Sequence, residues 1–310
     1  MILITDTTGF IGRAVVRRLA DEQAEVRCLL RPSWHEQKLP PGIPFSTVSA
    51  STSDLPALRT AMQDVTAILH LMGEDDPDRE AVRSHAEGTA KLIEAARETG
   101  VRRFIYLSRL EADRASAYPL FRVRGEAEAA VRESGLDYTI LQAAITYGPE
   151  DVFTNVLVML AKMIPFVTPI PEAGLSRFQP LWVGDLVTCL VATLDRDDLV
   201  GQTIPLGGPE HFALEQLMTQ VLEAAGVRRR IVSVRVPWVR IVIEFLDVLL
   251  LRNPTPHRWL DVLAVGSATD LGTVPRHFGF EPCRFAQCLD YLRGKHPWRR
   301  DLVRFILGYL

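Results

Sequence analysis

The chain is sparing in the features that would commit it to a special class. Its four cysteines, Cys28, Cys189, Cys283 and Cys288, lie far apart or at a spacing that fits no common metal motif. That excludes a cysteine-rich zinc domain and suits buried thiols in a reduced compartment. The apolar stretch Trp238 to Leu251 is too short and too charged for a membrane span, which takes about 20 apolar residues. No internal repeat or low-complexity segment is present, so neither a solenoid nor a disordered tract is expected. A first strand expected from residue 2 leaves no room for a signal peptide, and the expected location is the cytoplasm.

Charge of one sign is lacking overall, at −3, but the balance is uneven. Residues 226–310 carry 14 Lys/Arg against 7 Asp/Glu, a balance of +7 that leaves −10 for residues 1–225. An acidic body with a basic, apolar tail suits a tail that meets an anionic surface or partner, or a solvated face. With 47% apolar and 24% charged residues, the 310-residue chain can bury one large α/β domain, or a domain and an appendage.

The most informative stretch is Ile2-Leu3-Ile4-Thr5-Asp6-Thr7-Thr8-Gly9-Phe10-Ile11-Gly12-Arg13. An apolar strand breaks into a tight turn, and Ala14 to Ala20 resumes at helical spacing. In that context Gly9 lets the backbone pass close to a pyrophosphate and Gly12 lets the helix pack on the strand. The helix N-terminus then offers unpaired N–H groups and a positive dipole end. Asp6 stands where the usual pattern has glycine, and its carboxylate would repel phosphates unless it turns away to cap the helix. The competing reading is a βα turn capped by Asp6 or Thr7 with no ligand.

Val26 to Leu30 reads as a second strand ending at Arg31. An acidic residue there suits a ribose 2′-hydroxyl and an arginine suits a 2′-phosphate, so Arg31 favours NADP(H) over NAD(H); otherwise it is a surface arginine. Further strands are expected at Val65–Met72, Phe104–Ser108 and Asp137–Gln142. Helices are expected after Asp54, from about Glu80 to Thr99, and from about Leu120 to Ser134. His70 reads as a packed residue. Alternating strands and helices imply a doubly wound parallel sheet of Rossmann type, over residues 1–150. Residues 151–310 are expected to mix return strands near 177–190 and 200–208 with a smaller C-terminal substrate or docking region.

Several runs in order resemble the short-chain dehydrogenase/reductase superfamily in its extended and atypical branches. They are Thr8-Gly9-Phe10-Ile11-Gly12, His70-Leu71-Met72-Gly73, Gly100 to Ser108, Gly125-Glu126-Ala127-Glu128, Leu136 to Leu141, Tyr147-Gly148-Pro149, and Arg177 to Leu186. Within it, Arg252-Asn253-Pro254 and His277-Phe278-Gly279-Phe280 are similar to the branch of the complex I nucleotide-binding accessory subunit, with NmrA-like regulators as kin. The resemblance implies a cofactor held by Thr7, Thr8, Gly9, Phe10, Ile11, Gly12, Arg31, Leu71, Met72, Gly73, Leu107, Ser108, Arg124, Ala144 and Ile145. No metal is implied.

The family's chemistry needs a tyrosine four residues before a lysine, as proton donor and its charged neighbour. Here Leu120 and Arg124 take those places, and leucine cannot transfer a proton. Tyr118 with Arg122 keeps the spacing two residues early, but Pro119 argues that Tyr118 is still in the loop. Ser108 stands at the family's serine. Ala50-Ser51, His85 and Gln142-Ala143 depart from the family's acidic residue, asparagine and Arg-Pro. The first reading is therefore an NADP(H)-binding protein with weak or no catalysis and a structural, sensing or complex-associated role. The alternative is an active reductase or epimerase using Tyr118, Tyr147 or His85. Segments 238–251 and 295–310 suit contact with a protein complex or the inner face of a membrane, or burial in the protein's own core. Nucleic acid fits poorly, because the basic residues alternate with aliphatics.

Overall fold

The computed structural model describes residues 1–32, 39, 42–71, 79–163, 166–172, 176–249 and 257–293. Met72, Gly73 and the segment 295–310 lie outside the described residues, as does the end of 238–251. The chain divides into two compact units, residues 1–143, 183–206 and 276–279, and residues 144–182, 207–275 and 280–310.

The first unit opens with β1 (Ile2–Thr5), α1 (Phe10–Asp21), β2 (Val26–Leu30), β3 (Ser46–Ser49) and α2 (Leu55–Ala61). It continues through β4 (Ala67–Leu71), α3 (Arg79–Thr99), β5 (Arg103–Arg109), α4 (Pro119–Arg132) and β6 (Asp137–Ala143). The chain then builds β7 (Thr146–Tyr147), α5 (Val152–Met163), β8 (Val167–Pro171), β9 (Arg177–Phe178) and β10 (Leu181–Trp182) of the second unit. It returns to the first with α6 (Val183–Thr193) and β11 (Gln202–Leu206). The second unit resumes with β12 (Phe212–Ala213), α7 (Leu214–Ala224), β13 (Arg230–Val234), α8 (Val236–Leu249) and α9 (His257–Val265).

The first unit is a seven-stranded sheet in the order β11-β6-β5-β4-β1-β2-β3. Every pair in it is parallel. β4 and β5 are buried along their whole length, as apolar runs covered on both faces must be. β3, at the edge, is short and largely exposed. One face is covered by α2, α3 and α4, with Leu58, Leu92, Ala96, Ala127 and Val131 packed on Ile68, Phe104 and Ile140. α1 and α6 pack together, and α6 lies on β5 and β6. The Asp54 carboxylate caps α2 by accepting from the Ala57 N–H at 3.1 Å, as the sequence leads one to expect.

Arg103 ties this unit together at the start of β5. Its guanidinium donates to the Asp137 carbonyl at 2.8 Å, to Thr139 Oγ1 at 2.9 Å and to the Thr193 carbonyl at 2.8 Å. Thr193 ends α6, so the cation also meets the negative end of that helix. The chain order reverses between β1 and β4, which makes the carboxyl ends of those strands the switch point where ligands sit in doubly wound sheets.

In the second unit β8 pairs with β13 and β7 with β10 in parallel, and β9 pairs antiparallel with β12. The Asp151 carboxylate opens α5, accepting from the Gly148 N–H at 2.8 Å, the Thr154 hydroxyl at 2.6 Å and the Tyr291 hydroxyl at 3.1 Å. Burial pushes its pKa up to about 6. Cys283 and Cys288 form a disulfide, which corrects the expectation of four buried thiols. The 3₁₀ turn at Phe285–Cys288 brings their Cα atoms to 6.5 Å, a proximity no spacing motif announces. Cys28 and Cys189 are buried free thiols. α8 turns Ile243 inward, 3% exposed, and leaves Trp238 65% and Ile241 56% exposed. Among the described residues no helix is long and apolar enough to cross a membrane.

Candidate functional site

The site begins where β1 ends. Asp6 adopts a left-handed backbone, φ 52°, the conformation for which the spaced-glycine pattern uses glycine and which aspartate tolerates best after asparagine and glycine. Gly9 is the N-cap of α1, and no side chain caps the helix. The amides of Phe10 and Ile11 therefore have no partner within the helix, at its positive end. A Cβ on Gly12 would collide with the Asp6 carbonyl oxygen and the Thr7 Cα, so the helix rests directly on the turn. Arg13 braces the loop by donating to the Thr8 carbonyl at 3.1 Å. Thr7 is fully buried beside the Cys28 thiol, whose pKa burial pushes up to about 12.

Asp6 neither caps α1 nor stays out of the turn. One carboxylate oxygen lies 3.2 Å from the Arg31 guanidinium. The other would stand 2.7 Å from a Cβ built on Gly9, so the carboxylate lies across the glycine turn. Arg31, read from sequence as a 2′-phosphate partner, thus already holds an anion of its own chain. The pair is one that sequence reasoning missed, because 25 residues of chain separate two groups that the parallel pairing of β1 and β2 places side by side.

A second cation lies under the strand ends. Arg124 is 2% exposed on the inner face of α4, and its Nε has no hydrogen-bond partner. No carboxylate pairs with it among the described residues. A buried guanidinium without an anion is costly and marks a place for one. Leu120 precedes it by one helical turn and supplies no proton donor. Tyr118 is the N-cap of α4, ahead of Pro119, with its ring 6.3 Å from that of Phe121. Gly125 admits the preceding loop, since a Cβ there would collide with the backbone of Asp113 and Arg114.

Between the turn and Arg124 runs a buried polar chain. Thr5 Oγ1 donates to the Leu71 carbonyl at 2.9 Å and accepts from the Leu71 N–H at 3.0 Å, locking the ends of β1 and β4. His70 Nδ1 lies 2.9 Å from the same hydroxyl, and Nε2 lies 3.0 Å from Thr89 Oγ1. Its ring stacks on Tyr106 at 5.4 Å. Burial, then the charges of His85 and Arg124, push its pKa down to about 3, so His70 is a neutral packing residue. Ser108 is buried near the end of β5, and the Tyr106 hydroxyl two residues earlier faces it. Burial raises the Tyr106 pKa, so that tyrosine holds its proton.

Gln142, which replaces the family's arginine, donates to the buried Glu128 carboxylate at 2.9 and 3.1 Å. Arg132 completes that cluster at 2.6 Å. Glu128 was legible only as a carboxylate one turn past Arg124 on the same apolar stripe. Leu71 and Leu107 are each 2% exposed at their strand ends. Ala144 and Ile145 are buried in the second unit, where the Ile145 N–H donates to Ser267 Oγ at 3.1 Å. Tyr147 is likewise fully buried there, its ring 4.7 Å from Phe285. The open helix N-terminus, the glycine turn and the buried Arg124, whose Nε has no partner, together suit the diphosphate of a dinucleotide.

Comparison with known proteins agrees with this geometry. Residues 7–159 match a family model described as NAD(P)H-binding. The chain is 26% identical over 261 residues to the mitochondrial NADH dehydrogenase [ubiquinone] 1 alpha subcomplex subunit 9 of Arabidopsis thaliana, covering 80% of this chain and 64% of that one. It therefore spans less than two-thirds of that relative's length. It is 23% identical over 298 residues to the photosystem II assembly factor Ycf39 of Synechocystis, covering 94% of this chain and 89% of that one. The structure of the NADPH-dependent quinone oxidoreductase QOR2 of Escherichia coli, complexed with NADPH, superposes with a TM-score of 0.73 at 21% identity, over 94% of this chain and 99% of that one. Residues 7–159 thus match an NAD(P)H-binding family, on a Rossmann-like fold, and the chain is similar to the complex I subunit and to Ycf39.

Proposed function

We propose that the protein binds NADP(H) and uses it for structural, sensing or complex-associated purposes, with weak or no catalysis. The observation that carries this reading is Arg124, a buried cation with a partnerless Nε and no paired carboxylate among the described residues, one turn after a leucine where the proton donor would be. The nicotinamide dinucleotide would supply a hydride donor or acceptor when bound. The residues of this chain would hold its diphosphate at Gly9–Gly12, its 2′-phosphate at Arg31 and its nicotinamide ribose near Ser108 and Arg124. Preference for NADP(H) rests on Arg31 at the end of β2. The E. coli relative in fold holds NADPH, which is compatible with that preference.

The similar proteins named for complex I and for photosystem II assembly support a docking role. The exposed Trp238 and Ile241 on α8, near Arg235 and Arg240 in the chain, are the described residues that we assign to it. On this reading the location is cytoplasmic, peripheral on the inner face of a membrane or on a complex seated there.

Native mass spectrometry of the purified full chain tests the reading directly, because it identifies any copurifying dinucleotide and its phosphate. A melting-temperature rise with NADPH larger than with NADH is expected. No shift with either nucleotide, and no copurifying dinucleotide, defeats the proposal. NADPH consumption with a carbonyl substrate, abolished by Tyr118→Phe, replaces it by the reductase or epimerase reading.

A further inference from the structure

The pairing of Asp6 with Arg31 has a consequence for nucleotide choice, and the inference rests on the nucleotide-binding reading above. Three observations meet at this pair. Asp6 holds a left-handed backbone at the turn, φ 52°, so its side chain projects over Gly9 rather than into solvent. The carboxylate lies within 3.2 Å of Arg31 and does not cap α1. The pair is half-shielded, with Asp6 at 15% and Arg31 at 38% side-chain exposure, so solvent screens it only in part.

We propose that Asp6 is an internal competitor of the nucleotide and a specificity-determining residue. In the free protein it neutralises Arg31. A dinucleotide entering along the glycine turn brings a diphosphate toward the Asp6 carboxylate, and the like charges repel. A 2′-phosphate displaces the carboxylate from Arg31 and takes over a charge-assisted contact of the same kind with more charge. A 2′-hydroxyl cannot displace a carboxylate from a guanidinium. The exchange therefore lowers affinity for both dinucleotides and lowers it more for the one with the 2′-phosphate, which alone must break the Asp6–Arg31 pair, leaving Arg31 less available than in a protein with glycine at this position.

The test is calorimetric titration of NADPH and of NADH into the full chain and its Asp6→Asn, Asp6→Gly and Arg31→Ala variants, at one ionic strength. Asp6→Gly places at this turn the residue suited to φ 52°, which guards against loss of fold, and the melting temperature without ligand checks all forms. Both Asp6 variants are expected to bind NADPH five- to twentyfold more tightly than the parent. Arg31→Ala is expected to reduce the preference for NADPH over NADH at least fivefold. In an Arg31→Ala background, Asp6→Asn should help the two nucleotides equally.

An NADPH affinity within twofold of the parent, or weaker, in both Asp6 variants overturns the proposal while leaving the nucleotide reading standing. A loss of NADH binding in Asp6→Asn also overturns it, because it would make Asp6 an acceptor for ribose hydroxyls. Binding by the variants and not by the parent would support the competitor while overturning dinucleotide binding by the parent chain. Absence of dinucleotide binding in the parent and every variant overturns the underlying reading and the proposal with it.

Discussion

Arg124 on α4 and His70 in β4 are both buried and show opposite ways of burying a basic side chain. Arg124 is a buried guanidinium whose Nε lacks a partner. Replacing it by methionine removes a buried charge that no carboxylate of the described residues pairs with. Arg124→Met is therefore expected to stabilise the ligand-free protein by about 1–3 kcal/mol in denaturant melts. The same change should weaken dinucleotide binding at least tenfold, read by titration. A loss of stability with unchanged binding would show that the guanidinium serves the fold. His70 instead gives up its charge, since burial holds its pKa at about 3. The folded state thus binds fewer protons than the unfolded state between about pH 6.5 and 3. Its contribution is complete above pH 6.5 and is lost as pH falls through that window, to an extent of a few kcal/mol. Asp151, raised to about 6, acts in the opposite sense, its contribution being lost as pH rises through 6. The difference between parent and His70→Gln melts across pH 3–7 isolates the histidine, and the variant should show the shallower acid loss.

At the scale of elements, two contacts fix how α4 and α6 meet the sheet. Gly125 lets the loop before α4 fold back onto that helix, against the backbone of Asp113 and Arg114. Gly125→Ala should cost about 1–3 kcal/mol, because backbone rather than a flexible side chain must move. A hydrogen-exchange experiment should show the added opening confined to the loop and α4. Arg103 joins β5, β6 and the end of α6 through three charge-assisted hydrogen bonds. Arg103→Ala leaves the Asp137 and Thr193 carbonyls and the Thr139 hydroxyl without this donor and is expected to destabilise the first unit by about 2–4 kcal/mol in a chemical melt. The element boundaries follow local chemistry closely. Asp54 starts α2, Pro119 starts α4, and the apolar runs of β4 and β5 are buried strands.

At the scale of the whole molecule, the proposed roles are docking and sensing. The exposed Trp238 and Ile241 beside basic residues give the docking proposal a measurable form. Cosedimentation with vesicles containing anionic lipid should fall severalfold in a Trp238→Asp, Ile241→Asp variant and should weaken with salt. Unchanged cosedimentation would remove the membrane from the list of partners for this face. NADPH should leave that binding intact if the cofactor is structural and alter it if the cofactor is sensed.

The sequence by itself determined the parallel α/β architecture, because alternating apolar runs, caps and turn residues act over a few neighbours. It also showed the glycine turn between β1 and α1 and the leucine one turn before Arg124, since Thr8-Gly9-Phe10-Ile11-Gly12 and the Leu120–Arg124 spacing are local patterns. Only the tertiary structure decided what each charged group faces. The pairing of Asp6 with Arg31 depends on β1 lying beside β2. The solitude of Arg124, the Glu128–Gln142 contact and the closure of Cys283 onto Cys288 depend likewise on how helices and turns fold back. Charge energies vary with distance and burial, and neither quantity is written in the order of residues.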